Sequence, residues 1–593
     1  MADSIQFILK NYSALLLLVL VFWGFGQTFL QRTGSTSGDR WLDMAIASTT
    51  GAGIFIFVLQ ILAAIGKLQF AILIIIILSG LILAVIQTVA LVKYRANRTF
   101  FAPVRHAKNR LYWVSLVLMA AALLPTFIAP LTPPKEWDEL MYHLPHANQW
   151  AQTGRLTVNE WLRYPWFPYN FNLLYSAALI LRGDILAHLV HAFAGWMVTL
   201  MVYRLGVLYS NWIIATLAAL IWLSLSKHFF SNSYIEMGIA LFITTACATC
   251  FFWFEDSSRR GWLVLSAFML GLAAGSKYQA LTFVPLFFAL LIFCDRRPSS
   301  LVLVCIAFLL PCLYWYARNL LVTGNPFNPL GAKLFGFYDW NLQDYTWQFL
   351  DIKRVANWPK PPLWPLLLVP FLKPWKQNRF LRSASIFGLY ALVVWYFTSH
   401  YDRYLVPAMP VLSLLAAWAI FESISRLGSI LKMRIPWFTV VCQRHALNVL
   451  GGIAAALLII FSVNNGYKKA SQVATTEEQR TDFLRQHVVA YDLLMQLHAT
   501  PDLKIYQWGL EDIIYYAPNP VWGEVFGPWR YADLNGLSIP ALATRLRQQG
   551  FNTLLIRDSM LAPLLPQNEF PHYFQLLGRG NGAQAFRILS PAP

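Results

Sequence analysis

Charged side chains are scarce in this sequence. Asp, Glu, Lys and Arg make up 12% of its 593 residues, whereas hydrophobic residues make up 57%. A soluble domain has about twice that share of charge, and a single hydrophobic core stops growing at roughly 250–300 residues. A soluble protein of this length would need several domains, each with too little charge for its surface. The composition therefore excludes an ordinary soluble protein and indicates one embedded in lipid.

Cysteine is also rare, which excludes a disulfide-based scaffold. All six cysteines lie in or beside apolar runs, and the tail after about residue 465 has none. Cys247 and Cys250 form a CxxC pair inside an apolar run with no second pair, so we interpret them as ordinary apolar residues. That tail lacks a glycine-rich phosphate fingerprint, and the acidic and histidine residues after Pro133 do not have the spacing of a metalloprotease motif.

Long apolar runs are what the sequence has in place of charge. "SALLLLVLVFWGFGQTFL" from Ser13 and "FAILIIIILSGLILAVIQTVALV" from Phe70 each have about the length that crosses a bilayer. The first run has no small-residue cleavage site, so we expect a retained helix rather than a signal peptide. We predict about fourteen membrane-spanning helices, at 12–31, 43–65, 69–93, 112–131, 184–207, 212–227, 233–254, 262–276, 279–294, 301–317, 361–373, 383–398, 404–421 and 446–464.

The formal charge of +18 would suggest a nucleic-acid partner in a soluble protein. Here the basic residues fall mostly in short loops between apolar runs, which is typical of cytoplasmic loops and predicts no nucleic-acid partner. The loops expected in the cytoplasm are 93–110, 255–260, 295–300, 373–382 and 422–445. The segments expected on the opposite side, which is the periplasm of a bacterial inner membrane, are 132–183, 228–232, 318–360, 399–403 and the tail after about 465.

The tail reads as a small α/β unit. "LKIYQWG" and "NTLLIRD" are typical of buried strands, and "IPALATRLRQQG" between them is typical of an amphipathic helix that ends at Gly550. We therefore predict a βαβ-like arrangement. A supporting or capping role is a better interpretation of this unit than a catalytic one.

The segment "PPKEWDELMYHLPHANQWAQTGRL", from Pro133, brings together carboxylates and imidazoles after the fourth predicted helix. Such groups can serve as a general base or hold a divalent metal ion. An interfacial helix with its charges in water would show the same composition. The residues concerned are Glu136, Asp138, Glu139, His143 and His146.

Further charged residues are expected at the same leaflet. Glu236 lies in the first turns of an apolar helix, where a carboxylate costs about 2–3 kcal/mol unless it is paired or solvated. Lys277, Arg403 and the pair Arg318–Asn319 follow or interrupt apolar runs, and cations at that depth suit a lipid phosphate. Lys and Arg near helix ends also snorkel to the interface without any function. Together these residues predict a cavity at the outer leaflet for transfer of a group from a lipid phosphate.

These residues resemble the GT-C superfamily of membrane glycosyltransferases, above all its bacterial protein mannosyltransferases and the lipid A aminoarabinose transferase. The resemblance covers about 112–421. It rests on the order of motifs that are unspecific alone: "WDELMYHLPHANQWAQTGRL", "YPWFPYNFNLLYSAALILRGD", "YIEMGIAL" with "GLAAGSKYQAL", "ARNLLVTGNPFNP", and "RYLVPAMPVL".

The resemblance implies an inverting glycosyltransferase that takes its sugar from a polyprenyl-phosphate-linked donor and passes it to a glycan, lipid or protein. It implies Asp138 as the catalytic base, with Glu139 beside it, and Lys277 and Arg403 as ligands of the donor phosphate. Some relatives bind a divalent metal, for which His143, His146 or Glu236 would serve. The residues that it assigns to substrate binding are Tyr142, Glu236, Lys277, Tyr278, Arg318, Asn319 and Arg403.

One departure from the family pattern affects the domain organisation. The loop with the acidic pair usually follows the first helix, but here three helices precede the one that leads into it. We therefore predict an added N-terminal module at 1–111, a GT-C-like catalytic module at 112–465 and a periplasmic α/β domain at 466–593.

Two other functions stay open on the sequence alone. Intramembrane charges also line the paths of transporters and flippases, but those folds carry internal repeats that we do not find here. An O-antigen ligase or polymerase would rely mainly on Arg and His of the outer loops, and the Asp138–Glu139 pair would then have no catalytic role.

Overall fold

The computed structural model of the chain describes residues 2–95, 110–295, 297–434, 442–518 and 520–590. Most of them are helical. The helices that carry the architecture are α1 (Ala2–Arg32), α2 (Arg40–Ala64), α3 (Phe70–Arg95), α4 (Arg110–Ile128), α5 (Leu144–Thr153), α6 (Asn172–Leu181), α7 (Asp184–Tyr209), α8 (Trp212–Ser226), α9 (Glu236–Glu255), α10 (Arg260–Ala274), α11 (Val284–Cys294), α12 (Pro298–Thr323), α13 (Ala332–Phe335), α14 (Leu342–Arg354), α15 (Val369–Leu372), α16 (Arg379–Thr398), α17 (Met409–Arg434), α18 (Cys442–Ala470), α19 (Glu477–His487), α20 (Tyr491–His498) and α21 (Ile539–Gln548).

Within the described residues, ten helices are long and apolar enough to cross a membrane. They are α1, α2, α3, α4, α7, α8, α9, α12, α16 and α17. The chain is a multi-pass membrane protein, and the predicted fold class is confirmed. The other predicted spans fall on α18 and on the shorter apolar segments Arg260–Ala274, Tyr278–Cys294 and Pro361–Leu372. The count of fourteen spans stays a prediction, and α6 lies in a segment that we had predicted as loop.

The bundle has a buried centre and a lipid-exposed periphery. The apolar windows of α7 and α9 are 89% buried inside the protein, whereas those of α3 and α16 are only 28% buried. Lipid tails are as apolar as leucine, so helix association in a bilayer depends on close packing and on interhelical hydrogen bonds rather than on burial from water. The helices α7 and α9 therefore form a rigid support for the residues at their ends.

The three N-terminal helices pack closely against the rest of the bundle. A Cβ atom at Gly51 of α2 would lie 1.6 Å from the Phe22 carbonyl oxygen of α1, so α1 and α2 cross at backbone contact. Further along α2, the Gln60 amide nitrogen donates to Asn170 Oδ1 at 2.9 Å and to the Pro311 carbonyl oxygen at 3.1 Å. These bonds tie α2 to the segment before α6 and to α12.

The C-terminal tail contains a five-stranded sheet. Its strands are β1 (Ile505–Trp508), β2 (Val521–Trp522), β3 (Thr553–Arg557), β4 (Phe574–Gly580) and β5 (Ala583–Ile588), in the spatial order β2-β1-β3-β5-β4. The strands β1 and β3 are parallel with α21 between them in the chain, which confirms the predicted βαβ arrangement. The antiparallel pair β4–β5 was not predicted, because most side chains of β4 are exposed and leave no clear alternation. The short β2 gave no signal because it has only two residues.

The tail packs directly on the loop that follows α4. Leu140, Trp161 and Leu162 of that loop belong to the same buried cluster as apolar residues of α19, α20 and β1. The Tyr516 hydroxyl also donates to the Pro134 carbonyl oxygen at 2.8 Å. The predicted supporting unit therefore shares its hydrophobic core with the segment that carries the candidate catalytic residues.

Candidate active site

A cavity of about 1080 Å³ lies where the loops after α4, α10, α12 and α16 meet the tail. Segments far apart in the chain contribute its polar walls, and Asp138, Lys277 and Arg403 all border it. Tyr142, His143 and Tyr278 border it as well. The structure thus brings together most of the residues that the sequence analysis selected.

Asp138 stands directly before a turn of π-helix, Glu139–His143. Such turns are rare and are frequently found at functional sites. The Arg403 guanidinium forms an ion pair with the Asp138 carboxylate, and the Tyr142 hydroxyl donates to Asp138 Oδ2 at 3.0 Å. Burial raises the pKa of Asp138, but the positive charge and the hydrogen bond of Arg403 lower it, and the net pKa lies below the usual range of an aspartate.

A second ion pair lies beside the first. Glu236 is the first residue of α9, where the positive end of the helix dipole favours a carboxylate. Its Oε1 atom lies 3.0 Å from the Lys277 ammonium nitrogen. The Glu236 side chain is almost fully buried, whereas Lys277 borders the cavity, so the carboxylate supports the lysine from behind. The cost expected for an acidic residue in this helix is offset by the lysine.

Lys277 reaches the cavity because the chain breaks its helical path between α10 and α11. The helix α10 ends before Gly275, where the absence of a side chain lets Asn170 approach, since a Cβ atom there would lie 2.2 Å from the Asn170 amide nitrogen. Lys277 itself is extended and is followed by the tight helical turn Tyr278–Phe283. Its ammonium nitrogen lies 5.0 Å from the centre of the Tyr404 ring, and the Arg403 guanidinium lies 5.7 Å from the same ring. Two cations therefore flank one tyrosine at the cavity wall.

Glu139, predicted beside Asp138 as a catalytic residue, points away from the cavity. Its Oε1 atom accepts from the backbone N–H groups of Lys135 at 2.7 Å and Glu136 at 2.8 Å. Its Oε2 atom accepts from the Ser233 N–H at 2.7 Å and lies 2.8 Å from His188 Nε2. The carboxylate is completely buried and joins the turn before Asp138 to the turn before Glu236.

The residues selected for a metal ion do not form a donor set. Burial lowers the pKa of His143 to about 3 and that of His146 to about 4, so both rings are neutral. The Nδ1 atom of His143 meets the Asn172 amide nitrogen at 3.1 Å, and Nε2 of His146 bonds the Arg163 carbonyl oxygen at 3.0 Å. Among the described residues, no three His, Cys, Asp or Glu side chains are grouped as a metal would require. We therefore derive no step through a metal.

Arg318 and Asn319 lie behind the cavity wall. The Arg318 guanidinium stacks between the rings of Trp166 and Trp315, at 5.4 and 5.1 Å. The Asn319 amide nitrogen donates to the Tyr278 hydroxyl at 2.9 Å, and that tyrosine borders the cavity. The structure thus places this pair in support of Tyr278, while its predicted role in substrate binding stays a prediction.

The cavity also has a wall that the sequence analysis missed. Tyr164, Trp340, Gln348 and Phe526 come from the loop after α4, the loop before α14, α14 itself and the tail. Residues this far apart leave no common pattern in the sequence. Tyr164 is the first residue of the segment "YPWFPYN", but nothing in that segment marks its ring as part of a site.

A smaller, apolar cavity of about 120 Å³ follows the first one along the same segment. Tyr278, Gln279 and Thr282 border the polar cavity, whereas Phe283 and Leu286, directly after them, border the apolar one. The remaining lining of the apolar cavity comes mainly from α9, α16 and α17. A ligand with a charged head and an apolar tail would find both kinds of surface along this path.

Two membrane glycosyltransferases of known structure resemble this chain. The archaeal oligosaccharyltransferase AglB from Archaeoglobus fulgidus, in complex with an inhibitory peptide and a dolichol-phosphate, matches with a TM-score of 0.50 at 13% identity, over 79% of this chain and 73% of its own. This chain has the GT-C fold. ArnT from Cupriavidus metallidurans, bound to undecaprenyl phosphate, gives a TM-score of 0.49 at 16% identity, over 81% of this chain and 99% of its own. The GT-C architecture predicted from the motifs is confirmed.

Sequence comparison finds shorter matches. A family model described as SF2091/S2213 matches residues 479–587, the segment that holds most of the tail. The uncharacterized protein SF2093/S2215 of Shigella flexneri is 34% identical over 70 residues, which is 12% of this chain and 35% of the relative. This chain thus spans about a third of the length of that curated relative. Neither description names an activity.

Proposed function

We propose that the protein is a glycosyltransferase that moves a sugar from a polyprenyl-phosphate-linked donor to an acceptor hydroxyl. One observation carries the proposal: a buried aspartate and two cations meet in one cavity, at the point where an apolar path begins. A polyprenyl tail fits the apolar path along α11, and its phosphate fits the cations. The GT-C fold supports the proposal, and so does the dolichol-phosphate in the complex of the AglB relative.

The reaction is a single displacement with Asp138 as the base. The acceptor oxygen attacks the anomeric carbon while the bond from that carbon to the phosphate oxygen breaks. The hydroxyl proton passes to the Asp138 carboxylate, whose low pKa keeps it ionised and ready to accept it. The electron pair of the broken bond leaves on the polyprenyl phosphate. Displacement by one attacking group inverts the anomeric configuration.

Lys277 and Arg403 stabilise the leaving phosphate. Negative charge develops on that group as the bond breaks, and cations fixed in advance stabilise such charge without reorganisation. Glu236 holds Lys277, and the Tyr404 ring contacts both cations. Arg403 also pairs with Asp138, so one guanidinium links the base to the leaving group.

We place the site at the outer face of a bacterial inner membrane. The proposal rests on the loop charges, since most of the segments that form the cavity belong to the set expected opposite the basic cytoplasmic loops. An alkaline phosphatase fused after Pro593 tests this orientation, because that enzyme is active only outside the cytoplasm. We expect this fusion to be active. If it were inactive, and a second phosphatase fusion in the 255–260 loop were active, the orientation would be reversed.

Transfer by the purified protein in nanodiscs tests the function. Polyprenyl-phosphate sugars serve as donors, with membrane glycans, lipids and proteins as acceptors, and the product's anomeric configuration is read by NMR. We expect inverted product from the wild type and at least a thousand-fold loss in Asp138→Asn, about the scale of losing a general base. Asp482→Asn, an exposed aspartate of the tail, is the matched control and should remain active.

Two results would contradict the proposal in different ways. Unchanged transfer in Asp138→Asn would remove that residue as the base while leaving the activity. Absence of turnover with every lipid-linked donor, together with movement of lipid across the membrane in a reconstituted vesicle, would favour a flippase.

A further inference from the structure

A row of aromatic rings leads from Asp138 to the tail. The Tyr142 ring, whose hydroxyl bonds Asp138, meets the Tyr164 ring edge-on at 5.3 Å. The Tyr164 ring lies 6.3 Å from Trp340, and Trp340 lies 4.7 Å from Phe526. All except the tail's Phe526 come from segments between α4 and α14, and all border the cavity. The row is separate from the apolar path along α11, so the donor's tail does not need it.

Tyr164 is held in a strained backbone conformation. Its φ of +57° lies in the left-handed region, which costs a bulky residue about 1–2 kcal/mol. Its ring stacks on Phe167 at 4.4 Å, and its hydroxyl donates to the Gln348 side-chain oxygen at 3.0 Å. Strain of this kind persists where the surrounding contacts hold the conformation in place, and it is frequent at ligand-binding sites. The strained turn fixes the ring beside the proposed base.

Hydrogen-bonding groups surround these rings. The Gln348 amide reaches Tyr164 through its oxygen, and no hydrogen bond to another described residue uses its NH2 group. The Arg163 guanidinium lies 5.6 Å from the Phe526 ring and pairs with Glu524 of the tail. On the other side of the opening, Asp351 accepts from the Tyr401 hydroxyl at 3.0 Å. Along this wall, flat apolar faces therefore alternate with hydrogen-bond donors and acceptors.

This combination matches the chemistry of a sugar ring. A pyranose has an apolar C–H face that packs on an aromatic ring and a rim of hydroxyls that exchange hydrogen bonds with amides and carboxylates. A lipid chain fits less well, since it would desolvate Gln348 and Asp351 without bonding them. The exposed indole of Trp347, on the same helix as Gln348, adds a second flat face at the opening.

We propose that this wall is the acceptor subsite and that the acceptor is a carbohydrate, which it binds through Tyr164 and Trp347. The proposal rests on the proposed function, because it places the attacking hydroxyl next to Asp138. It assigns the tail a part in acceptor recognition, through Phe526 and through the Glu524 contact to Arg163. The supporting unit predicted from the sequence would then complete the site.

Saturation-transfer NMR on the full chain in nanodiscs tests the subsite directly. The probes are maltotriose and methyl mannoside, an N-acetylated tripeptide amide, and dihexanoyl phosphatidylglycerol. Undecaprenyl phosphate binding is measured in the same samples as an independent readout of the donor side. The variants are Tyr164→Ala, Trp347→Ala and Gln348→Leu, with Trp358→Ala, an exposed tryptophan outside the cavity, as the matched control.

We expect saturation transfer to the C–H protons of at least one sugar. We also expect about ten-fold weaker binding, equivalent to about 1.4 kcal/mol, in Tyr164→Ala and Trp347→Ala, with undecaprenyl phosphate binding unchanged. Trp358→Ala should bind like the wild type. Binding of the peptide or the phospholipid in place of sugars would overturn the proposal. Sugar binding that is unaffected by the Tyr164 and Trp347 changes would overturn it as well, and so would the absence of binding by all of these probes. Failure of the wild type to bind undecaprenyl phosphate would instead count against the proposed function.

Discussion

The ion pair between Asp138 and Arg403 sets the protonation of the proposed base. Burial raises the pKa of Asp138, but the charge and the hydrogen bond of Arg403 lower it, and the net pKa lies below the usual value. In Arg403→Gln the lowering charge is lost while the burial remains, so the pKa of Asp138 rises. The carboxylate then becomes protonated at a higher pH, and the acidic limb of kcat/KM should move upward. The pH profile of transfer measures this shift.

The same variant separates two roles of Arg403. Loss of a phosphate ligand raises the apparent KM for the donor, whereas the change in the base moves the pH limb. Arg426→Gln, on an exposed pair with Glu422 in α17, is the control and should change neither quantity. If the Arg403→Gln variant remained active and its acidic limb did not move, the group that titrates in that limb would not be Asp138.

Glu139 illustrates how far the sequence alone can go at the scale of single residues. Neighbouring residues on a helical turn point in different directions, so an Asp-Glu pair can present only one carboxylate to a given cavity. The motif selected both, and the structure places Asp138 at the cavity and Glu139 behind it. Tyr164 and Trp340 could not be selected, since only the tertiary fold brings their rings together.

Replacing Glu139 by glutamine should affect stability and positioning together. The carboxylate accepts three backbone N–H groups, and an amide would face some of them with its own donors. Leaving buried donors unsatisfied costs about 1–3 kcal/mol. We expect a lower thermal midpoint and a lower kcat, with the donor KM unchanged because the cations are untouched. Glu478→Gln, an exposed residue of α19, is the control. A raised donor KM with an unchanged kcat would contradict this positioning role.

At the scale of elements, the apolar runs predicted the spanning helices well because lipid imposes a minimum length on them. Even the short runs near 262–294 correspond to a real feature, the break at Gly275 that delivers Lys277 to the cavity. The prediction failed for α6, where burial comes from contacts with distant segments, and for β4, where most side chains are exposed. Local periodicity carries no record of such contacts.

The crossing of α1 and α2 gives a prediction for the N-terminal module. Because a side chain at Gly51 would meet the Phe22 carbonyl oxygen at 1.6 Å, Gly51→Val should force the two helices apart. We expect a loss of several degrees in the thermal midpoint, since overpacking costs about 1–3 kcal/mol. Gly428→Ala in α17 meets nothing within 4 Å and is the control. If Gly51→Val left the midpoint unchanged, this close crossing would not contribute to stability.

At the scale of the whole molecule, the tail and the bundle are joined by a shared hydrophobic core and by ion pairs. The tail shares a hydrophobic core with the loop of Asp138, and Glu524 pairs with Arg163 at the cavity. A third tie lies at the start of α7, where Asp184 meets Arg480 of α19 at 2.5 Å. These ties connect the tail to the same loop and helix that position the proposed base and the buried Glu139–His188 pair. Weaker docking of the tail should therefore disturb the geometry of the site.

Reversing one charge of the Asp184–Arg480 pair tests this coupling. In Arg480→Glu two carboxylates face each other at a mostly buried contact, which we expect to destabilise docking of the tail by about 1–3 kcal/mol. Hydrogen exchange should then rise in the segment 133–143, which packs under the tail, and kcat/KM for transfer should fall. The double change Arg480→Glu with Asp184→Arg restores opposite charges and should recover part of both readouts, as a coupled pair requires.

The control for this cycle lies on the same helix. Arg485 pairs with Asp482 and Asp492 inside the tail at exposed positions, and such surface pairs contribute about 0–1 kcal/mol. Arg485→Glu should therefore leave exchange in 133–143 and the transfer rate as they are in the wild type. If Arg480→Glu raised exchange only within the tail while transfer stayed unchanged, the tail would be an independent unit. The acceptor subsite would then have to function without Phe526. The tail and the bundle would not be coupled through this interface.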